Sequence, residues 1–476
     1  MVVLYIILGI IAALLAVLLI NTFRVSGKAR KLSGSKPAAT EETLAKYAEG
    51  MARMLRCKTV SVKDSYDDTE FAKLRQVVKE QFPLLHEKAE RMNFAADCWF
   101  YKIPGKDTGR NILLMSHHDV VAAEEEWKCD PFGGEVIDGA IYGRGAADTK
   151  GSLFAILCAA EDMLAEGFVP EVNVWVGSSH NEELGGDGIP TALRYFQEQG
   201  IAFEVILDEG GAIVEPPLAG MKCEMCAMVA IHEKGRLKLK CTAKTQSSHV
   251  SLTGYKGNPV ERVAAFIQEV TTSKAFIRRL NPQVRAMLQN LAPYCGFPMK
   301  VVLCNLWLFG GLLAKIMPKL NATAGGMVGT TLNFQEISGS TTGKVCTTSV
   351  MLRNINEEDL KTDYAVFKAV ADKHGIALEE ERNEYYAPAD MESKAYRYTM
   401  DCLAKIFPCY PAAPYILPAG TDAWRLTPVC DCVLRFAPTR MNKQQLGSIH
   451  AVDENIDVSA LYEAAVFYKY FAENYQ

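Results

Sequence analysis

The chain has 476 residues, enough for two or three domains with well-buried cores. Hydrophobic residues make up 49% and charged residues 22%, a balance typical of folded globular proteins that excludes a largely disordered chain. The formal net charge is -5, and without an excess of basic residues we do not expect a nucleic acid as a partner.

The amino-terminal segment from Met1 to Ile20 is almost wholly apolar and carries no charged side chain. About 20 such residues suffice for a helix to cross a bilayer, so the sequence predicts a single-pass transmembrane anchor over residues 1–21 and a linker over 22–39. Five basic residues follow the apolar run: Arg24, Lys28, Arg30, Lys31 and Lys36. By the positive-inside rule they keep the body of the protein cytoplasmic. The alternative is a secretory signal peptide with an extracytoplasmic body, but a signal peptide begins with basic residues, which this segment lacks.

Residues 40–230 alternate between apolar runs of strand length and amphipathic runs of helix length. The predicted elements are a helix capped by Thr40, a strand at 112–115, a helix at 152–166, a strand at 172–176, a helix at 189–199 and a strand at 205–207. This β-α-β alternation predicts an α/β fold with a mostly parallel sheet sandwiched by helices. We assign residues 40–230 to the first part of a catalytic domain.

The pattern changes after about residue 230. Residues 236–241 alternate polar and apolar side chains, as a half-exposed antiparallel strand does, and a second such strand is predicted over 345–352. An amphipathic helix is predicted over 357–374. We therefore expect an inserted α+β domain over 231–383, with the second part of the catalytic domain over 384–476.

Ionisable side chains follow three predicted strands at the points where the strands end. His117 and Asp119 come after the first strand, Glu182 and Glu183 after the second, and Asp208 after the third. In an open α/β sheet, sites form outside the carboxyl ends of the strands, so these side chains are expected at one rim. Each residue alone is typical of a solvated loop or a helix cap. Their conjunction at one rim favours a functional site.

The residue types in this set indicate a metal-dependent hydrolase. Imidazole and carboxylate together suit zinc, with cobalt or manganese as possible substitutes. Asp119, two residues after His117, can accept from the histidine's other ring nitrogen and fix its tautomer. The glycine-rich run 143–148 ends at Asp148 and can aim one carboxylate across two metals. Of the neighbours Glu182 and Glu183, one is expected as a ligand and the other as a general base.

Seven segments form a set of short motifs along the chain: Ser116-His-His-Asp-Val-Val121, Trp127-x-x-x-Pro131-Phe132, Tyr142-Gly-Arg-Gly-Ala-Ala-Asp148-Thr-Lys150, His180-Asn-Glu-Glu183, Leu207-Asp-Glu-Gly-Gly211, Gly420-Thr-Asp422 and Ile449-His450. Together they resemble the dizinc exopeptidase and aminoacylase family, which includes carboxypeptidase S, N-fatty-acyl-amino-acid hydrolases, acetylornithine deacetylase and glutamate carboxypeptidase. The resemblance covers nearly the whole chain after the apolar segment, in motif order.

The resemblance implies a role for each member of the cluster. One Zn²⁺ would be held by His117, Asp148 and Asp208, and the other by Asp148, Glu183 and His450. Asp119 would orient His117, and Glu182 would be the general base.

The resemblance also implies a set of substrate-binding residues: Arg353 for a substrate carboxylate, His249 for the oxyanion, and Gly420, Thr421 and Asp422 in a binding loop. His249 would act across a homodimer formed through the inserted domain. The lid motif departs from the family pattern, since this chain has Thr245-Gln-Ser-Ser-His249-Val-Ser251 where relatives have Thr-Pro-Gly-His-Ser-Ser. The departure leaves the expected metal ligands intact and puts substrate specificity in doubt.

We expect a zinc-dependent hydrolase that cleaves an amide bond in a small peptide or an N-acyl amino acid. The alternatives are a deacylase of another small carboxylate-bearing amide and a catalytically retired metal-binding membrane protein. An unusually apolar run, Val301 to Met317, has two interpretations. In the first, it packs inside the inserted domain or at a dimer contact. In the second, it lines a site for an acyl chain or contacts the membrane.

Overall fold

The computed structural model describes residues 1–124, 126–245, 258–273, 275–320, 322–340 and 343–476. The chain forms two compact units. Unit 1 comprises Met1–His232, Gln289–Val301 and Pro388–Gln476, and unit 2 comprises Glu233–Leu288 and Val302–Ala387. Unit 2 thus covers most of the predicted insertion, but the segment Gln289–Val301 returns to unit 1.

The helices are, in chain order, α1 Val2–Ser26, α2 Glu41–Leu55, α3 Asp68–Gln81, α4 Pro83–Lys88, α5 Lys150–Ala165, α6 Gly188–Glu198, α7 Pro259–Thr272, α8 Pro282–Leu291, α9 Phe297–Cys304, α10 Leu306–Leu320, α11 Ala322–Gly326, α12 Glu357–Lys373, α13 Lys394–Ile406, α14 Lys443–Gly447 and α15 Val458–Asn474. Short 3₁₀ turns lie at Glu182–Leu184, Ala292–Tyr294 and Asp422–Val429.

The strands are β1 Glu90–Phe94, β2 Cys98–Ile103, β3 Asp107–Met115, β4 Glu135–Ile137, β5 Ala140–Tyr142, β6 Val172–Ser178, β7 Val205–Asp208, β8 Ile213–Val214, β9 Cys226–Glu233, β10 Gly235–Lys244, β11 Thr331–Gly339, β12 Val345–Asn354, β13 Ile376–Glu384, β14 Ala412–Leu417, β15 Val433–Arg435, β16 Arg440–Met441 and β17 Asn455–Asp457. Every strand and helix expected from the sequence pattern is present, with ends that differ by a few residues.

The large sheet of unit 1 has the order β1-β2-β6-β3-β7-β15-β9-β8-β16, with β14 paired to β9. Its four central strands, β6, β3, β7 and β15, are parallel, whereas β1, β2 and β9 pair antiparallel on the two sides. The predicted mostly parallel sheet is therefore parallel at its centre and mixed overall. The difference arises at β1 and β2, which a short turn joins into a hairpin, while β3 and β6 need the crossover helix α5.

Alternate residues of the central strands face two separate cores. Ile112 and Leu114 of β3 pack in the core that contains α5 and α15, and Leu113 and Met115 pack in the core that contains α6. This period of two is expected for a strand buried on both faces. Helices therefore cover both sides of the sheet, as the α/β pattern predicts.

Unit 2 is built on an antiparallel sheet with the order β11-β12-β10-β13. Along β10 the side chains alternate between buried and half-buried, and the buried set packs against α7 and α12. The alternating pattern of residues 236–241 thus correctly predicts a strand with one buried face.

Helix α1 is long and apolar enough to cross a membrane, a property that an amino-terminal signal sequence shares. Its last turns pack against the rest of unit 1 and bury the side chains of Leu18 and Thr22. The following segment is held by Arg30, whose Nη1 donates to the Pro408 carbonyl at 2.7 Å.

Candidate metal centre

The three strand ends singled out by sequence meet at one rim of the large sheet. Strand β3 lies between β6 and β7, so the loops that leave their carboxyl ends are neighbours. The loop after β3 stays beside the loop after β6, because the His118 amide donates to the Ser179 carbonyl at 2.9 Å. This pairing carries His117 and Asp119 towards the turn that holds Glu182.

His117 is fully enclosed at this rim, with a side chain 2% exposed. Its Nδ1 lies 2.9 Å from the Asp119 carbonyl oxygen and 3.3 Å from the Asp119 carboxylate. Its Nε2 lies 3.1 Å from Oδ1 of Asp148. One ring nitrogen is therefore engaged by Asp119, and the other faces the carboxylate expected to bridge two metals.

Asp119 also fixes the turn that carries the two glutamates. Its carboxylate accepts hydrogen bonds from the backbone amides of Glu182 and Glu183, at 3.1 and 3.2 Å. Asp119 therefore orients both the histidine and the glutamate turn.

Asp148 lies between two histidines, His117 and His450, that are far apart in the sequence. Its Oδ2 lies 3.0 Å from Nε2 of His450, which is also 3.2 Å from Oε2 of Glu183. His450 has a φ of 60°, in the left-handed region that few non-glycine residues adopt. Such strain is often found where a side chain has to be aimed at a functional site.

Two groups of side chains have ligand atoms within 4.8 Å of one another and could hold a cation. One is His117, Asp148 and Glu183, and the other is His117, Glu182 and Glu209. Asp208, predicted to join His117, is outside both groups, and its Oδ2 accepts from the Ala423 amide at 3.0 Å. The neighbouring Glu209, by contrast, belongs to the group that contains His117 and Glu182.

The pKa values show how strongly these charges depend on one another. Hydrogen bonds to Asp148 and Glu183 raise the pKa of His450 to about 10. Burial, reinforced by nearby carboxylates, raises the pKa of Glu182 and of Glu209 well above the usual range. Several carboxylates are thus crowded at a place where water cannot screen them, and a bound cation would relieve their repulsion.

The donor set fits divalent metals. It combines imidazole nitrogens with carboxylate oxygens, the ligands of zinc and related transition ions. Oε1 of Glu183 is buried and has no hydrogen-bond partner in the described part of the chain. A buried carboxylate oxygen without a hydrogen-bond partner, inside a histidine–carboxylate cluster, fits the role of a metal ligand.

Glu454 supports the loop of Asp148 and is a residue that the sequence reasoning did not single out. Its Oε1 accepts from three backbone amides, those of Gly145, Ala147 and Asp148, at 2.8–3.1 Å. Its Oε2 accepts from Nη1 of Arg144 at 2.6 Å, and both side chains are buried. The only sequence signal is an acid four residues after His450, which is too common a feature to point to this role.

Three of the predicted substrate-binding residues, Gly420, Thr421 and Asp422, belong to unit 1. Thr421 is buried and accepts from the Ala423 amide at 3.2 Å, and Asp422 is buried and accepts from the Ser179 hydroxyl. Gly420 and Thr421 line a small cavity of about 150 Å³ together with Asp148 and Glu209.

The other two predicted substrate-binding residues belong to the inserted region of the sequence. Arg353 is on β12 of unit 2, where its Nη2 donates to the Lys234 carbonyl at 3.2 Å. Burial lowers the pKa of Arg353 to about 10. The predicted oxyanion residue, His249, falls outside the described residues.

Comparisons with known proteins agree with this architecture. Residues 113–474 match the family described as Peptidase family M20/M25/M40. The chain is 28% identical to "Probable carboxypeptidase S-like 2" of Dictyostelium discoideum, covering 98% of this chain and 93% of that protein. It is 26% identical to "N-fatty-acyl-amino acid synthase/hydrolase PM20D1" of Xenopus tropicalis, again covering 98% and 93%.

Two solved structures share the fold. An M20 family metallo-carboxypeptidase, Sso-CP2 from Sulfolobus solfataricus, superposes with a TM-score of 0.64 at 17% identity, covering 91% of this chain and 99% of that one. Bacillus subtilis YXEP, a dinuclear metal-binding peptidase, gives 0.56 at 13% identity, covering 90% and 98%. These likenesses confirm the predicted fold class.

Proposed function

Because the chain belongs to peptidase family M20/M25/M40 and is a hydrolase of the metallopeptidase type, we propose that it cleaves an amide bond next to a free carboxylate. The single observation that carries the proposal is the double contact of Asp148. Its two carboxylate oxygens lie 3.1 and 3.0 Å from the ring nitrogens of His117 and His450. A carboxylate so placed can bridge two cations.

We assign the cluster to two divalent metals, preferably Zn²⁺, with Co²⁺ or Mn²⁺ as substitutes. Asp148 would bridge them, with Glu183 and His450 completing one site and His117 the other. For the remaining ligand of the His117 site, we favour Glu209 over Asp208, because Glu209 belongs to a group with His117, whereas Oδ2 of Asp208 accepts a hydrogen bond from the Ala423 amide.

The bound cations would supply polarisation of the scissile carbonyl and a lower pKa of water at the site. Glu182 is the general base in this proposal. It is half-buried beside His117, and its raised pKa suits a group that takes a proton from the attacking water and passes it to the leaving amine. Asp119 positions Glu182 by accepting a hydrogen bond from its backbone amide.

The proposed substrate is a small peptide or an N-acyl amino acid. The names of the relatives support these two classes, and they share an amide flanked by a carboxylate. Arg353 is proposed to bind that carboxylate, because guanidinium pairs with carboxylate in a bidentate geometry. A homodimer through unit 2 is proposed only from the family resemblance.

The test of the proposed base is Glu182→Gln in the full chain. We expect this variant to retain both metals and to lose at least about a hundredfold in turnover, within the usual range for a general base. Metal content and hydrolysis of a panel of dipeptides and N-acyl amino acids are measured together. The control is Glu198→Gln on the exposed side of α6. Near-normal turnover in Glu182→Gln would refute the assigned base.

The choice between the two neighbouring acids has its own test. Glu209→Gln is expected to lose about one metal per chain, whereas Asp208→Asn is expected to retain both. The opposite result would restore Asp208 as the ligand.

We also propose that α1 anchors the protein in a membrane as a single span with a cytoplasmic body. Extraction of the full chain with alkaline carbonate should leave it in the membrane pellet. A mature protein that begins after residue 26 would instead identify α1 as a cleaved signal peptide.

A further inference from the structure

Exposed apolar side chains are concentrated in one short segment of the body. Outside residues 1–26, the described part of the chain exposes 16 large apolar side chains, and seven of them lie within residues 297–320. These seven, which we call the apolar ledge, are Phe297, Met299, Trp307, Leu308, Leu312, Ile316 and Leu320. So high a concentration of exposed apolar side chains in one short segment usually marks an interaction site.

Helix α10 is apolar on both of its faces. It buries Leu306, Gly310, Ala314 and Met317 in the body. The opposite face carries Leu308, Leu312, Ile316 and Leu320, spaced four residues apart and between 38% and 67% exposed. A helix that is apolar all round is usually buried completely, in a protein core or in a membrane. Only one face of α10 is covered.

The charge of this segment is exclusively positive. Residues 297–320 contain Lys300, Lys315 and Lys319 and neither aspartate nor glutamate. No described residue forms an ion pair with any of the three lysines. Apolar side chains flanked by unpaired lysines are the pattern of helices that lie in the interface of an anionic bilayer.

The beginning of the ledge lies close to the end of α1. The Tyr294 hydroxyl donates to the carbonyl of Arg30, four residues beyond the last residue of α1, at 3.0 Å. Phe297 follows three residues later and, with Met299, belongs to the same unit as α1. A cavity of about 590 Å³ at these segments is lined by Arg24, Lys28 and Tyr294 and by one acid, Asp401. Neither Arg24 nor Lys28 pairs with a described residue.

We propose that the apolar ledge is a second membrane contact of the protein, in addition to α1. The lysines of the ledge and the basic residues of the cavity would contact anionic phospholipid headgroups. The inference rests on the proposed membrane anchor and is independent of the hydrolase activity. A second copy of the chain is a poorer occupant, because two such ledges would bring together positive charges without any acid to balance them.

Trp307 provides the probe. The chain has five tryptophans; Trp99 and Trp175 are buried, and Trp307 is 56% exposed. The full chain is reconstituted in nanodiscs that contain anionic lipid and phosphatidylcholine brominated in the acyl chains. Bromine quenches tryptophan only at close range, so we expect quenching in the native protein and its loss in Trp307→Phe.

A matched pair of variants tests the contact itself. Leu312→Glu changes a side chain that is 58% exposed on the ledge, and Ile337→Glu changes one that is 59% exposed on β11. We expect Leu312→Glu to reduce the quenching of Trp307 at least about twofold and Ile337→Glu to leave it unchanged.

The outcomes separate the anchor from the ledge. A chain that enters nanodiscs but whose Trp307 is not quenched refutes the ledge and leaves the anchor intact. Equal effects of Leu312→Glu and Ile337→Glu also refute it, as do two chains per disc with Trp307 shielded from lipid. A chain that does not enter nanodiscs refutes both the anchor and the ledge.

Discussion

Glu454 is a buried carboxylate that holds the loop of Asp148 in place. Its oxygens gather three backbone amides of the loop that ends at Asp148 and neutralise the buried Arg144. Without this carboxylate, three amides would remain in the interior without an acceptor, and Arg144 would keep only its hydrogen bond of 3.4 Å to the Ala122 carbonyl. Leaving one member of a buried ion pair alone costs about 3–5 kcal/mol.

We therefore predict that Glu454→Ala lowers the free energy of unfolding by about 3–5 kcal/mol and reduces metal content. The loss of metal follows because the loop no longer holds Asp148 between the two histidines. Denaturant unfolding and metal analysis provide the two readouts. Glu198→Ala, which removes an exposed carboxylate on α6, serves as the control, and equal losses in the two variants would contradict the role of Glu454.

Lys234 of unit 2 is a buried basic side chain that makes the stability of the fold depend on pH. Its Nζ donates to the carbonyls of Gly326 and Gly329, both at 2.9 Å, and to the Thr331 hydroxyl at 3.1 Å. Burial, with a smaller effect of Arg353, lowers its pKa to about 7. An unfolded lysine titrates near pKa ~10.4. Between these values the unfolded chain binds more protons, so this lysine makes the fold more stable as the pH rises.

The corresponding prediction compares native protein with Lys234→Met. The difference between their free energies of unfolding should increase from about pH 7 to about pH 9, because only the native protein gains stability in that window. Denaturant titrations at several pH values measure it. Lys361→Met, at an exposed position of α12, should give a difference independent of pH. A difference that is flat for Lys234→Met as well would show that Lys234 stays protonated in the fold.

At the scale of elements, Phe196 is the largest buried side chain that packs α6 against the sheet, together with Ile189 and Ala192. Phe196 is fully buried, and its ring lies 5.2 Å from those of Phe100 and Phe203 and 5.6 Å from that of Trp175, all edge-on. These contacts join α6 to β2, to β6 and to the segment before β7. The glutamate turn at Glu182–Leu184 directly precedes α6 in the chain.

Phe196→Ala should lower the free energy of unfolding by about 3–5 kcal/mol, since it leaves a large cavity among rigid rings. Phe168→Ala, at a position that is 37% exposed, should cost less than about 1 kcal/mol. Urea unfolding of the two variants provides the comparison. Similar costs would mean that the cavity at Phe196 collapses.

Elements with a clear period were predictable from sequence, and elements defined by distant partners were not. Helix α5 and strands β6 and β10 have apolar patterns that set their faces locally. By contrast, nothing local shows that residues 289–301 return to unit 1, because that depends on contacts such as the one between Tyr294 and Arg30.

The candidate site divides in the same way. Strand ends predicted that His117, Glu182 and Glu183 would meet, because sheet geometry brings those positions together. The hydrogen bond between Asp208 and the Ala423 amide could not be predicted, since the two residues are more than 200 positions apart, and it is this contact that leads us to propose Glu209 in place of Asp208. Glu454 was missed for the same reason.

At the scale of the whole molecule, the site is a concentration of negative charge that the fold of unit 1 has to enclose. Asp148, Glu183, Glu182 and Glu209 converge there, and the raised pKa of the last two reflects their burial and mutual repulsion. A cation that binds only the folded state stabilises it by RT ln(1 + [L]/Kd), about 2.7 kcal/mol at a hundredfold excess over Kd.

The final prediction follows from that linkage. Treatment with a chelator should abolish hydrolysis and lower the thermal midpoint by roughly several degrees, and Zn²⁺, Co²⁺ or Mn²⁺ should restore both. Asp148→Asn removes the carboxylate between the two histidines, so its midpoint should respond to neither chelator nor metal. Equal shifts in the two proteins would mean that the stabilising metal binds outside the cluster.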